Sequence, residues 1–76
     1  MKHTPETIGK FIKDTRKSQR LTQQALALTS GTGLRFIIDL EKGKPSCHFA
    51  KSLQVLQTLG IDIKLTAPHN NISENA

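Results

Sequence analysis

A chain of 76 residues has room for one small domain, and with three Phe, no Trp and no Tyr its core must come from Ile, Leu and Val, which suits a helical bundle. Eleven Lys and Arg against six Asp and Glu leave a net charge of +5, a surplus that suggests a polyanionic partner but is also compatible with a protein that is simply basic. A single cysteine, Cys47, excludes an intrachain disulfide and any zinc-ligand spacing, no apolar run approaches the roughly 18 residues of a membrane span, and MKHTPETIG lacks a signal-peptide core, so a reducing cytoplasm is the expected compartment.

Thr4, Pro5 and Glu6 form a helix-start signature: an N-cap, a first-turn proline and an acid at the positive end of the dipole. The helix they open is expected to run to about Ser18. Ile8, Phe11, Ile12 and Thr15 gather on one side of its wheel, with Lys10, Lys13, Arg16, Lys17 and Arg20 opposite. That basic side is either a solvated surface or a sequence-blind contact with phosphates.

The stretch TQQALALTSGTGLRFIIDLEKGK, residues 22–44, follows. Thr22 is a good N-cap, Leu26 faces a core, and Ala27 is small enough for a second helix to cross closely. Gly31 accepts positive φ at a tight turn. A second helix is expected over 34–42, with Ile37 and Leu40 on its buried side and Gly43 stopping it. Two helices joined by so short a turn must cross steeply, which projects the second outward in a form that fits the major groove.

A last helix is expected over 47–59. Phe49, Leu53, Leu56 and Leu59 share one face, and Val55 widens the stripe beyond the needs of one small bundle, suggesting a subunit interface. Gly60 ends it, and IDIKLT at 61–66 alternates apolar with polar, which is a strand period. A lone strand is unstable, so the simplest partner is the same segment of a second copy. The expected dimer interface is Val55, Leu59, Ile61, Ile63 and Leu65. Residues 67–76, APHNNISENA, look like a disordered tail that a partner can order; the glycosylation sequon at Asn71 is read as chance.

Thr22-Gln23, Leu26-Ala27, Gly31, Arg35-Phe36-Ile37, Asp39-Leu40-Glu41 and Gly43-Lys44-Pro45 stand in an order that resembles the Cro/repressor, Xre-like, helix-turn-helix family, and LQVLQTLGIDIKL is similar to the last helix and terminal strand of its HipB-like antitoxins. The resemblance spans residues 6–66. It implies an all-α, lambda-repressor-like bundle of four or five helices, with a short C-terminal β-strand pairing across a dimer, in a domain covering residues 1–66. It also implies a repressor that binds double-stranded operator DNA and acts as the antitoxin of a HipA-like kinase toxin, or a divided form of one, repressing its own operon. Two features depart from the family pattern. Ser30 and Thr32 flank the turn glycine where apolar residues are usual, predicting looser packing there, and Leu34 and Ile38 place apolar groups on the outer face of the recognition helix.

Within the motif, Gln23 and the N–H groups of its helix start suit a phosphate, with Thr22 beside it, and Gln24 suits a base edge or a phosphate. Arg35 can reach guanine O6 and N7 as a bidentate pair, or else hold a phosphate or pair with Asp39 at i+4. Gly33 and Leu34 open the helix where close backbone approach to DNA is feasible, and Ile38 lies one turn beyond Leu34. Lys42 and Lys44 suit phosphates or simply solubilise the loop. Phe36, Ile37 and Leu40 are expected to pack, and one of Asp39 and Glu41 to pair with a basic side chain.

His3, His48 and His69 are scattered, the glycines spell no phosphate loop, and no acidic cluster suggests a metal, so neither catalysis nor a cofactor is expected. Two other readings of the motif stand beside the antitoxin: a stand-alone phage-type or chromosomal repressor, and a helix-turn-helix that only binds protein, with Leu34 and Ile38 as the contacts.

Overall fold

The computed structural model describes residues 3–45 and 48–68. Among them are four helices, α1 (Pro5–Ser18), α2 (Gln23–Ser30), α3 (Leu34–Glu41) and α4 (Phe49–Leu59), and the fold is all-α. Local chemistry sets the starts. The Thr4 hydroxyl accepts from the Thr7 N–H at 3.1 Å while the Thr7 hydroxyl accepts from the Thr4 N–H at 2.9 Å, a capping box closed by threonine instead of glutamate. The Thr22 hydroxyl accepts from the Ala25 N–H at 3.0 Å and caps α2. Helix α4 starts two residues later than the sequence suggests, with His48 as N-cap, and Cys47 lies outside the described residues.

Every helix ends in the same left-handed turn. At the end of α1 the Leu21 N–H donates to Arg16 O at 3.1 Å and the Arg20 N–H to Lys17 O at 2.9 Å, which is a Schellman motif. Helices α2, α3 and α4 place glycine at the left-handed position, whereas α1 places Arg20 there, at φ 60°. At Gly31, φ 74°, the turn between α2 and α3 needs that freedom, because no side chain is accommodated there without strain. The flanking polar residues satisfy each other: the buried Ser30 hydroxyl lies 2.9 Å from the Thr32 hydroxyl. The turn, where the two polar residues predicted looser packing, is therefore tied by a hydrogen bond.

Helices α1 and α2 each pack on both α3 and α4. The four largest fully buried side chains are Ile12, Leu26, Ile37 and Val55, one from each helix, and burying each stabilises the fold by about 1.5–3 kcal/mol. Ala27 and Leu59 complete the core. Val55 and Leu59, expected at a subunit interface, are thus buried inside the chain itself and offer no surface to a second copy. The apolar stripe of α4 is wide because α1 and α2 flank it from two sides. Phe49, expected on that stripe, is 72% exposed.

The buried stripe of α1 is also displaced from its apolar stripe. Gly9, Ile12 and Arg16, three and four apart, face inward. Gly9 is there because a Cβ would meet the Leu40 carbonyl oxygen at 2.5 Å and that of Glu41 at 2.9 Å, so α1 touches the end of α3 backbone to backbone. Ile8 and Phe11 are consequently pushed to the margin and left 40% and 57% exposed.

Residues 61–68 form neither helix nor strand in the single chain. A strand needs a ladder, and the expected ladder partner was another molecule. Ile61 packs on the core, and the segment after it borders an open apolar groove of about 360 Å³ with Ile8, Phe11, Leu56, Ile63 and Leu65 in its walls. Of the expected tail, Ala67 and Pro68 are exposed and 69–76 lie outside the described residues.

Candidate nucleic-acid interface

The back of α3 is anchored by a buried ionic network. Arg16 Nε donates to Glu41 Oε2 at 2.6 Å, Arg16 Nη2 to Glu41 Oε1 at 3.2 Å, and Arg16 Nη1 to the Leu21 carbonyl at 2.7 Å. Gln23 Nε2 adds a bond to Glu41 Oε1 at 3.0 Å. A guanidinium and a carboxylate removed from water need such complete satisfaction, because a lone buried ion costs several kcal/mol. Among the described residues no buried side-chain polar atom lacks a partner. Arg16, placed with the basic face in the sequence, therefore belongs to the core, and Gln23 directs its side-chain amide inward to Glu41.

The front of α3 is open. Gly33 is its N-cap and supplies no side-chain bond, so the first N–H groups of the helix have no capping acceptor from that residue. Gly33 sits at φ −104°, an ordinary conformation, and a Cβ there would meet nothing within 4 Å. The fold does not require glycine at that position. Leu34 is 42% exposed and Arg35 is exposed, while Ile38 is half-buried, so the apolar feature of the outer face is mainly Leu34. Asp39 Oδ1 stands 3.7 Å from Arg35 Nε and 3.6 Å from Lys44 Nζ, bringing three of the charged residues singled out from the sequence into one string. Both acids of α3 are thus paired.

At the start of α2, Thr22 and Gln24 are exposed; Thr22 uses a lone pair for its cap and keeps its O–H available to donate. Lys42 is exposed at the end of α3. On α1, Lys13 and Lys17 are exposed, as is Arg20 in the turn after it, and Lys10 pairs with Asp14 at 3.0 Å. Of the residues expected to pack, Ile37 is buried, and Phe36 and Leu40 are partly buried against the core. Phe36 further meets the His48 ring edge-on at 6.3 Å, and Lys51 Nζ lies 5.8 Å from the Phe36 ring centre. This link from α3 to α4 was not foreseen in the sequence. Among the described residues no cluster of His, Cys, Asp and Glu has the size of a metal site, and no helix is long and apolar enough to cross a membrane.

No family model matches the chain. Its fold is similar to that of the restriction-modification controller protein C.AhdI of Aeromonas hydrophila, with a TM-score of 0.69 and 22% identity over 76% of this chain and 88% of that one. It is similar also to a chain of the HipA-HipB-O2-O3 complex, with a TM-score of 0.77 and 20% identity over 90% of this chain and 96% of that one. In sequence it is 54% identical over 65 residues, 86% of each chain, to the uncharacterised HTH-type transcriptional regulator y4mF of Sinorhizobium fredii. An outward helix locked from behind and open in front is what such a regulator needs, and on more than half its residues across that length the chain belongs to the HTH-type transcriptional regulators.

Proposed function

We propose that this regulator is the antitoxin and autorepressor of a toxin–antitoxin pair. It would bind its operator as a cytoplasmic homodimer and hold a HipA-like kinase toxin, or a divided form of one. The observation that carries the DNA half is the front of α3, where Arg35, 80% exposed in its side chain, projects beside the bare Gly33 N-cap and Leu34. In this reading Arg35, Leu34 and Ile38 face base edges. Thr22, Gln23, Gln24, Gly33, Lys42 and Lys44 position the backbone, Gln23 through its helix-start N–H because its amide is held by Glu41. The toxin half is supported by likeness to a chain of the HipA-HipB-O2-O3 complex along nearly its whole length.

The homodimer is supported by the groove. Ile63 and Leu65, 51% and 89% exposed, face solvent beside Ile8 and Phe11, and the same segment of a second copy would cover them while giving the alternating 61–66 stretch its ladder. Ile61, Ile63 and Leu65 remain the interface residues, without Val55 and Leu59.

The likeness to C.AhdI favours a second reading, a regulator with no toxin. Co-purification from the native host with a salt-titrated footprint on the DNA upstream of the gene separates the two. Retention of a kinase-like protein together with a protected site supports the antitoxin; a protected site with no such protein supports the stand-alone regulator. Salt-insensitive behaviour and no protection would mean a protein-interaction module.

A further inference from the structure

The outer part of α3 carries an acid where a DNA-binding surface would gain from having none. Asp39 lies one turn beyond Arg35, with a third of its side chain exposed, and a single oxygen, Oδ1, serves both Arg35 Nε and Lys44 Nζ, at 3.7 and 3.6 Å. Glu41, the other acid of the helix, is turned away into the Arg16 network and plays no part here. Both distances exceed those of good hydrogen bonds, and pairs this exposed are weak and easily opened. The arrangement is therefore a poor device for stability.

We propose that Asp39 sets the sequence specificity of this regulator by restraining Arg35 from indiscriminate phosphate contact. The inference rests on the DNA reading above. Cations on phosphates add affinity without sequence information, whereas base edges supply discrimination. With Lys44 on a phosphate, an Arg35 that also swings out to one leaves the Asp39 carboxylate without either partner against a polyanion. If Arg35 instead meets guanine O6 and N7 through its two terminal nitrogens, Nε stays with Asp39, so the productive pose keeps the pair that the unproductive one breaks. Specificity then comes from penalising wrong complexes rather than from strengthening the right one.

The test uses the full chain, a duplex that the wild-type protein selects from a random-sequence pool, and poly(dI·dC) as indifferent DNA. Asp39→Asn should raise affinity for poly(dI·dC) by on the order of tenfold and steepen its log–log salt slope by about 0.9 per phosphate gained. Affinity for the selected duplex should rise less, so the ratio of the two falls. Asp39→Glu keeps the charge and should keep the wild-type ratio; thermal melts verify that both variants fold. A ratio unchanged in Asp39→Asn, or lowered equally by Asp39→Glu, overturns the role of this carboxylate and leaves DNA binding standing. If the wild-type chain enriches no sequence from the pool, the DNA reading itself fails and the inference with it.

Discussion

Arg16 and Glu41, 25 residues apart in sequence, meet in a two-bond pair that ties the last turn of α1 to the last turn of α3. Both side chains are almost completely buried, at 8% and 3% exposure. Together with the Leu21 carbonyl and the Gln23 amide, the pair fixes α1, the loop after it, the start of α2 and the end of α3 relative to one another. Removing one partner strands the other, which costs about 3–5 kcal/mol, whereas replacing both by apolar groups of similar volume is often close to neutral. Arg16→Met and Glu41→Leu should each shift the urea midpoint sharply downward, and the double variant should recover much of the loss. Losses that simply add in the double variant would mean the charge pair is not what holds these elements.

Arg20 should yield the opposite effect. It holds a left-handed φ that costs a non-glycine residue about 1–2 kcal/mol, and its side chain is exposed. Arg20→Gly should therefore raise stability by about 1 kcal/mol, equivalent to roughly 4–8 °C in melting temperature for a domain this small. A melting temperature that falls would show that the arginine side chain contributes more than its backbone costs.

For the proposed dimer, Ile63→Asp would bury an unpaired charge at the joint, costing several kcal/mol, while leaving the chain's own core untouched because Ile63 is half exposed. Sedimentation velocity should report a folded monomer. Leu59→Ala should behave in the reverse manner, lowering chain stability by about 2–5 kcal/mol through a cavity. A folded dimer surviving Ile63→Asp would move the interface to another surface.

Leu34 gives a prediction about the DNA itself. An exposed aliphatic group beside an arginine suits a thymine methyl next to a guanine, where a good bidentate contact discriminates by about 1–3 kcal/mol. Operator half-sites should combine guanine with adjacent thymines and lie about one helical turn apart. Replacing those thymines by uracil removes only methyl groups and should weaken binding by the wild-type chain but not by Leu34→Ala. Uracil without effect, alongside loss of a protein partner in Leu34→Ala, would assign the residue to that partner.

What the sequence made legible was local. Thr4, Thr22, Gly31 and Gly43 act within a few residues of themselves, so their helix ends follow from neighbouring chemistry. The pairing of Arg16 with Glu41 depends on how α1 crosses α3, and no spacing rule reaches across 25 residues. There was nonetheless a signal: Gly9, Ile12 and Arg16 already trace a helical stripe, and a glycine inside an otherwise good helix costs about 1 kcal/mol relative to alanine and so calls for a packing reason. The width of the α4 stripe misled for a similar cause, since a helix flanked by two others uses apolar residues that a helix with one neighbour would leave over. Among the candidate contacts, Arg35 with Asp39 was visible because i+4 pairs are adjacent on any helix, and the third member, Lys44, required the turn at Gly43 to bring it back.

The contact at Gly9 separates what this molecule must inherit from what it can vary. Its missing side chain sets how near α1 lies to the end of α3, and any replacement would drive a carbon into the Leu40 and Glu41 carbonyls. The pose of the recognition helix is thus decided on its hidden side, by backbone and a buried ion pair. Leu34 and Arg35 bear none of that burden. On the proposed DNA reading, new operator preferences can therefore arise by changing the outer residues one at a time, while a substitution at position 9 would displace every one of them together and destabilise the packing of α1 on α3 as well.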